Sequence, residues 1–288
     1  MKSRLFASIL ALMLCCTANI NAQSPADSLT FIATDWQWKD LGKGAQAGYA
    51  QVRIFDSVQS ISVVRYPAGK FRTSIVHAPE DLCNTTDSLA RRSKARFACN
   101  GSYFNVKKLT PDTFFSLGHK VVGVSPDKEL YRSNGVIARR CRCSRSYEIF
   151  YYDGNELETY RRKYHEALAS GPVLVLDGES PDFPMERSFY YLRHPRTFVG
   201  MVRGKNPRQD MIYMVVIDGR FPGQGDGASI PETAAIARYF GCDDALNLDG
   251  GGSSTVWTDQ TGVINHPYDN HQFDHAGCRK VPNILIAK

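Results

Sequence analysis

The chain has 288 residues, 22% of them charged and 43% hydrophobic, with a formal net charge of +6. That length admits one large domain or two small ones, and with no low-complexity linker or clear internal repeat we expect one. The charge is mild and no basic run is interleaved with aromatics, so nucleic acid is not an expected partner.

Residues 1–22 read as a signal peptide. Lys2 and Arg4 precede an apolar run from Leu5 to Leu14, and Ala22 offers a small residue at the cleavage point. Cys15 and Cys16 raise a lipoprotein alternative, but Leu14 is bulky where lipid-linked processing wants a small side chain. The expected location is periplasmic, cell-surface or secreted. Nothing after residue 22 is apolar enough to be an integral membrane span. Removing Lys2 and Arg4 lowers the net charge from +6 to +4. Cys83, Cys99, Cys141, Cys143, Cys242 and Cys278 remain, an even set that suggests disulfides in an exported chain. Zinc at Cys141 and Cys143 lacks a second ligand pair.

In the mature chain, 23–288, residues 24–28 read as a flexible lead-in. Strands are expected over 31–38, 49–55, 61–66 and 72–78, a helix over 81–92, and a strand over 95–100. The strand ending at Asn100 runs into Gly-Ser-Tyr103-Phe, a turn followed by aromatics that either wall a pocket or enter the core. Asn100-Gly-Ser and Asn84-Thr-Thr also fit the glycosylation pattern. Residues 106–170 say less: short strands near 121–124, 135–138 and 147–152, then a helix over 156–169.

Arg196 and Thr197 follow His194-Pro195. A guanidinium there suits phosphate or carboxylate oxygens, although a structural ion pair is the commoner use. Met211 to Ile217 is a continuous apolar strand, covered on both faces, that ends in Asp218-Gly-Arg. Ser229-x-x-Glu232 is a capping box opening an apolar-faced helix, so Glu232 serves the cap, a site, or both. Leu246 and Leu248 alternate with Asn247 and Asp249 as in a half-buried strand. Gly250, Gly251, Gly252, Ser253 and Ser254 follow, able to bring backbone N–H groups close to an anion. Asp218 and Asp249 both stand at strand ends, a placement that puts two carboxylates on one rim if the strands are near one another. The His266–His275 segment is a polar loop whose His/Asp spacing matches no strict metal pattern. Residues 281–286 form a last strand.

Taken in order, Asn100-Gly-Ser-Tyr-Phe, Ser170-Gly-Pro-Val-Leu, His194-Pro-Arg-Thr, Val216-Ile-Asp-Gly-Arg, Glu232, Leu248-Asp-Gly-Gly-Gly-Ser-Ser and Arg279-Lys-Val-Pro-Asn283 resemble the phosphodiester glycosidase family. The likeness covers about residue 95 onward. It implies an α+β domain, a mixed β-sheet core flanked by a few helices, with a surface cavity lined by these motifs. It implies hydrolysis of a sugar-1-phosphodiester, on an N-acetylglucosamine-like sugar, at the anomeric C–O bond. Asp249, Glu232 and Asp218 are the expected catalytic carboxylates. Asn100, Tyr103, Arg196, Thr197, Gly250, Gly251, Gly252, Ser253 and Arg279 are the expected substrate and phosphate contacts. Ser102 and Tyr103 stand where relatives often carry other small and aromatic residues, which bears on specificity. No cofactor is called for, and a divalent metal stays open. The rival readings are a metal-dependent phosphodiesterase and a non-catalytic glycan-binding protein.

Overall fold

A computed structural model describes residues 24–78, 84–154 and 157–288. The signal-peptide reading, Cys83 and the start of the 81–92 helix lie outside the described residues.

The chain opens on helix α1, Pro25–Ile32, where the sequence suggested a loose lead-in and then a strand. The local chemistry explains it. The Ser24 hydroxyl accepts the Asp27 N–H, Pro25 begins the first turn, and Phe31 is buried. Strands β1 (Gln37–Gly42), β2 (Ala45–Ile54), β3 (Ser57–Pro67) and β4 (Thr73–His77) follow, then α2 (Thr86–Arg92) and β5 (Phe97–Asn100). Next come β6 (Phe115–Leu117), β7 (Lys120–Gly123), β8 (Gly135–Arg139), β9 (Glu148–Tyr151) and α3 (Leu157–Lys163). β10 (Glu166–Ser170) is a strand where the sequence suggested that the helix continued. All five of its residues are buried, and it pairs with β8 on one side and β6 on the other, so tertiary pairing overrides the helical propensity of Glu-Ala-Leu-Ala. The remaining principal elements are β11 (Val173–Val175), α4 (Ser188–Tyr191), β12 (Arg196–Val202), β13 (Met211–Ile217), α5 (Ile230–Tyr239), β14 (Asp244–Asn247), β15 (Val256–Thr258), β16 (Gly262–Val263) and β17 (Asn283–Ala287).

This is the expected α+β architecture. A central seven-stranded sheet has the order β1-β2-β3-β13-β12-β14-β11, and two five-stranded sheets run β7-β6-β10-β8-β9 and β16-β15-β5-β17-β4. The strand pairings within the sheets are antiparallel. β13 shows why its sequence reads as continuously apolar. Ile212, Met214 and Val216 enter the core shared with the smaller sheets, while Tyr213, Val215 and Ile217 enter the core under α1, α4 and α5. Each face of the strand meets its own apolar layer, so no polar face is needed.

Cys141 and Cys143 are bonded to each other in the loop after β8, so neither sulfur is available to zinc. Cys99 and Cys242 are buried thiols in different cores. Burial raises both of their pKa values.

Candidate active site

β12 lies between β13 and β14 and runs antiparallel to both. β13 and β14 therefore run in the same direction, and their C-terminal ends meet the N-terminal end of β12 on one rim. Asp218, Asp249 and Arg196 all fall there, as the sequence suggested. The two acid-bearing strands are separated by one strand, about 10 Å.

Position on the rim does not make a group available. Asp218 is 1% exposed and its carboxylate is saturated. Oδ1 accepts the Asn265 amide and the His266 N–H, while Oδ2 accepts the Ser60 hydroxyl and His266 Nδ1. In this arrangement it holds the His266 imidazole and main chain. His266 is clamped further by stacking on Phe273, 3.7 Å between ring centroids.

Glu232 is likewise committed. Its Oε2 closes the capping box on the Ser229 N–H, and Arg193 donates to both of its oxygens. The cap and the ion pair together occupy the Glu232 carboxylate in this structure.

Arg196 also departs from expectation. It is 3% exposed, and it donates to the carbonyls of Ala228, Phe189 and Leu192 over the Phe189 ring. Burial lowers its pKa to about 10, so it stays charged at neutral pH. The guanidinium ties two backbone segments, α4 with its cap and the loop at Ala228, to the start of β12. Arg196→Ala removes a donor from each of those carbonyls, with Ala228 alone keeping another from the His194 N–H, which costs about 2–4 kcal/mol. We expect a large fall in Tm and equal activity losses on phosphodiester and aryl glycoside substrates; a selective phosphodiester loss in a variant of unchanged Tm would return Arg196 to the phosphate role.

Asn100, Thr197 and Tyr103 form the scaffold beneath the rim. Asn100 is fully buried, with Oδ1 accepting the Thr197 hydroxyl and the Thr255 N–H and Nδ2 donating to the Asp249 carbonyl at 2.7 Å. It holds the main chain of Asp249 and, being buried, is closed to glycosylation. The Tyr103 hydroxyl donates to the Gly171 carbonyl and receives the Asn247 amide. These three residues sit at the site but are spent on the protein itself.

The glycine turn works differently from the expected nest. The Gly250 N–H donates to Asp249 Oδ1 and the Gly251 N–H to the Pro195 carbonyl, so two of its donors are already used. Gly251 has φ +61, the left-handed region, and a Cβ on it would lie 3.4 Å from an Arg220 nitrogen. A Cβ on Gly252 would lie 2.4 Å from an Arg279 nitrogen. The absent side chains let two guanidinium groups close on the turn.

A third cation, Arg132, lies over the Tyr103 ring at 4.6 Å and near enough to Asp249 to favour its ionised form. Arg132 comes from a 3-10 turn in the stretch where the sequence carried no motif. Arg220 was visible as the residue after Asp218-Gly219, and its φ of +68 is a strained backbone for a non-glycine residue, a frequent mark of a functional position. His266 stood in a segment read as a polar loop.

Asp249 is what these groups surround. It is packed deeply against protein while part of the residue still reaches solvent. Burial pushes its pKa up to about 6, against the lowering by the nearby Ser253 hydroxyl, Arg132, the Gly250 N–H and Arg279. Ser253 faces it without a well-formed hydrogen bond. The other acids nearby are engaged, Glu129 with Arg132 and Asp269 with Arg279. Asp249 is the least engaged of the three rim carboxylates: it pairs with no cation at salt-bridge distance among the described residues, and its Oδ1 accepts the Gly250 N–H. No three His, Cys, Asp or Glu side chains converge as metal ligands among the described residues. No helix among them is long and apolar enough to cross a membrane.

Solved structures of other proteins share this fold. A hypothetical protein from Synechocystis superposes with TM-score 0.64 at 13% identity, covering 88% of this chain and 64% of that one, so this chain spans under two thirds of its length. The catalytic domain of zebrafish N-acetylglucosamine-1-phosphodiester alpha-N-acetylglucosaminidase, auto-inhibited by its pro-peptide, gives 0.63 at 17% identity over 88% of this chain and 87% of that one. A putative exported protein from Burkholderia pseudomallei gives 0.57 at 14% identity over 81% and 74%. No curated protein matched by sequence. The sequence model for phosphodiester glycosidases matches residues 93–288, the part that carries every motif of the rim, and on that match the chain belongs to the phosphodiester glycosidase family.

Proposed function

We propose that the chain hydrolyses a sugar-1-phosphodiester at the anomeric C–O bond, releasing free sugar and a phosphomonoester. The observation that carries this reading is Asp249, a carboxyl with a pKa of about 6 that pairs with no cation among the described residues and accepts one backbone N–H, in the neighbourhood of Arg132, Arg220 and Arg279. A general base works best with a pKa close to the operating pH, and burial supplies that here. Guanidinium groups gathered around the same carboxyl suit the charge that grows on a departing phosphate.

The reaction needs little else. Asp249 takes a proton from water as the water oxygen bonds to the anomeric carbon. The C–O bond breaks and its electron pair goes to the phosphate oxygen. A phosphomonoester has a second pKa of about 6, so it leaves as a stable anion and strong acid assistance is unnecessary. Arg220 and Arg279 receive that charge. With Asp218 and Glu232 committed elsewhere, one free carboxylate supports a single displacement, which inverts the anomeric centre. The zebrafish enzyme's name points to N-acetylglucosamine as the first sugar to try, and the signal-like start of the chain to action outside the cytoplasm.

Incubation of the chain with N-acetylglucosamine-alpha-1-phospho-methylmannoside in ¹⁸O-water tests both points. Mass spectrometry is expected to find label on N-acetylglucosamine and none on mannose phosphate, and early proton NMR to find the β-anomer first. Label on the phosphate would mean P–O cleavage and a phosphodiesterase. An initial α-anomer would mean a double displacement, with a carboxylate, Asp249 or another, bonded to the sugar before water releases it. Binding without turnover would leave a glycan-binding protein.

A further inference from the structure

At the opposite pole from the rim, a cavity of about 740 Å³ is lined by Arg72, Arg142, Arg145, Arg208 and Lys288, and no acidic side chain lines it. Among the described residues, Arg72, Arg145, Arg208 and Lys288 make no side-chain hydrogen bond or ion pair, unlike many other arginines of the chain. The nearby Asp210 is buried and accepts from the Gly204 N–H and the Ser146 hydroxyl. Five exposed cations with no acidic side chain among them make the groove strongly positive.

Three separated segments build this groove, and each is fixed. Arg72 and Lys288 exchange both backbone hydrogen bonds. The 203–210 hairpin is tied to the first segment through the Gly69 N–H to the Arg208 carbonyl and the Ala68 N–H to the Asp210 carbonyl. The loop carrying Arg142 and Arg145 is closed by the Cys141–Cys143 disulfide and joined to the hairpin by Ser146 and Asp210. The concavity is therefore a property of the fold and not of one flexible loop.

We propose that this groove is an accessory binding site for a phosphate-bearing glycan chain. Its occupant must be anionic at several points, because the cations come from three directions. It must be chain-like, because the site is a groove, whereas a membrane surface would meet a flat or convex face. Aromatic side chains are absent from the lining, so the stacking that single-stranded nucleic acid requires is missing. The hairpin joins β12 to β13 at the end away from Asp218 and Arg196, and the seven residues of β12 span about 20 Å. A polymer with repeating phosphodiesters would reach both sites, so that the groove holds the chain while the rim cuts a linkage. This deepens the activity proposed above and rests on it for the second half of the test only.

The test compares the protein with Arg72→Glu/Arg145→Glu/Arg208→Glu. Calorimetry with a poly(glycosyl-1-phosphate) chain and with inorganic tripolyphosphate is expected to show binding by the unaltered protein that weakens as salt rises. The triple variant should bind on the order of a hundredfold more weakly, with neutral dextran bound by neither. KM for the polymer should rise at least tenfold with kcat unchanged, while kcat/KM on the short soluble phosphodiester stays the same. Equal polymer binding by both proteins would overturn the proposal. So would binding to phosphatidylglycerol vesicles without polymer binding, which would make the groove a membrane contact. Should the triple variant fail to fold, the Arg→Gln triple replaces it with the same expectations. If neither protein cleaves the short substrate, the active-site reading fails while calorimetry still decides the groove.

Discussion

Asp249→Asn is expected to lower turnover of a sugar-1-phosphodiester by on the order of 10³-fold, the contribution of a well-placed general base. The fold should survive, and at neutral pH it should gain stability. In the folded chain the Asp249 carboxyl has a pKa of about 6 against an ordinary value of 3.8. Between those values the folded state holds a proton that the unfolded state has released, so stability falls as pH rises through this window. Above about pH 6 the native protein carries a deeply placed charge that an amide does not. The variant should therefore melt at a higher temperature than the native protein at pH 7.5, and the difference should vanish at pH 3. The activity of the native enzyme should run the other way, with kcat/KM falling on the acid side around pH 6 as the base is protonated. Normal turnover by a folded Asp249→Asn protein would sink the assignment. An acid limb near pH 4 would show that another carboxyl sets it.

Arg220→Ala is expected to cost on the order of 10²- to 10³-fold in kcat/KM on phosphodiesters, the range found for removing one preorganised charge-stabilising donor. Loss on an aryl glycoside with a neutral leaving group should be under tenfold, since no phosphate charge develops there. Arg220 is exposed, its guanidinium lies over Tyr268 at 5.1 Å, and none of its nitrogens is bound to a carboxylate among the described residues. Its removal should therefore leave the cores untouched. Relief of the φ +68 backbone by Arg220→Gly gives a second comparison, with stability unchanged or raised and activity still lost. Equal losses on both substrate types would remove Arg220 from the phosphate role and leave Arg279 as the remaining candidate on the glycine turn.

Sequence signals are clearest where local and global requirements coincide. β13 is a run of seven apolar residues because two cores meet on it. The Ser229/Glu232 box opens α5 because both partners of the cap lie within one turn. The ordered motifs, and through them the family and the position of Asp249 at a strand end, were legible for the same reason: each is a short stretch whose residue types carry the signal. β10 carries helix-favouring residues, and only its two neighbouring strands make it a strand.

The division of labour among polar residues was a different matter. Asp218, Glu232, Arg196 and Asn100 have the residue types a site needs, and each sits at the rim, yet hydrogen bonds inside the protein consume them. Arg132, from a stretch without motifs, reaches Asp249 instead. Sequence determined which residues could bear charge and which short segments they belong to. Only the tertiary structure decided which of those charges remain unspent, because a buried polar group is satisfied by whatever partner the fold brings within hydrogen-bond reach, and that partner is often more than a hundred residues away in the chain.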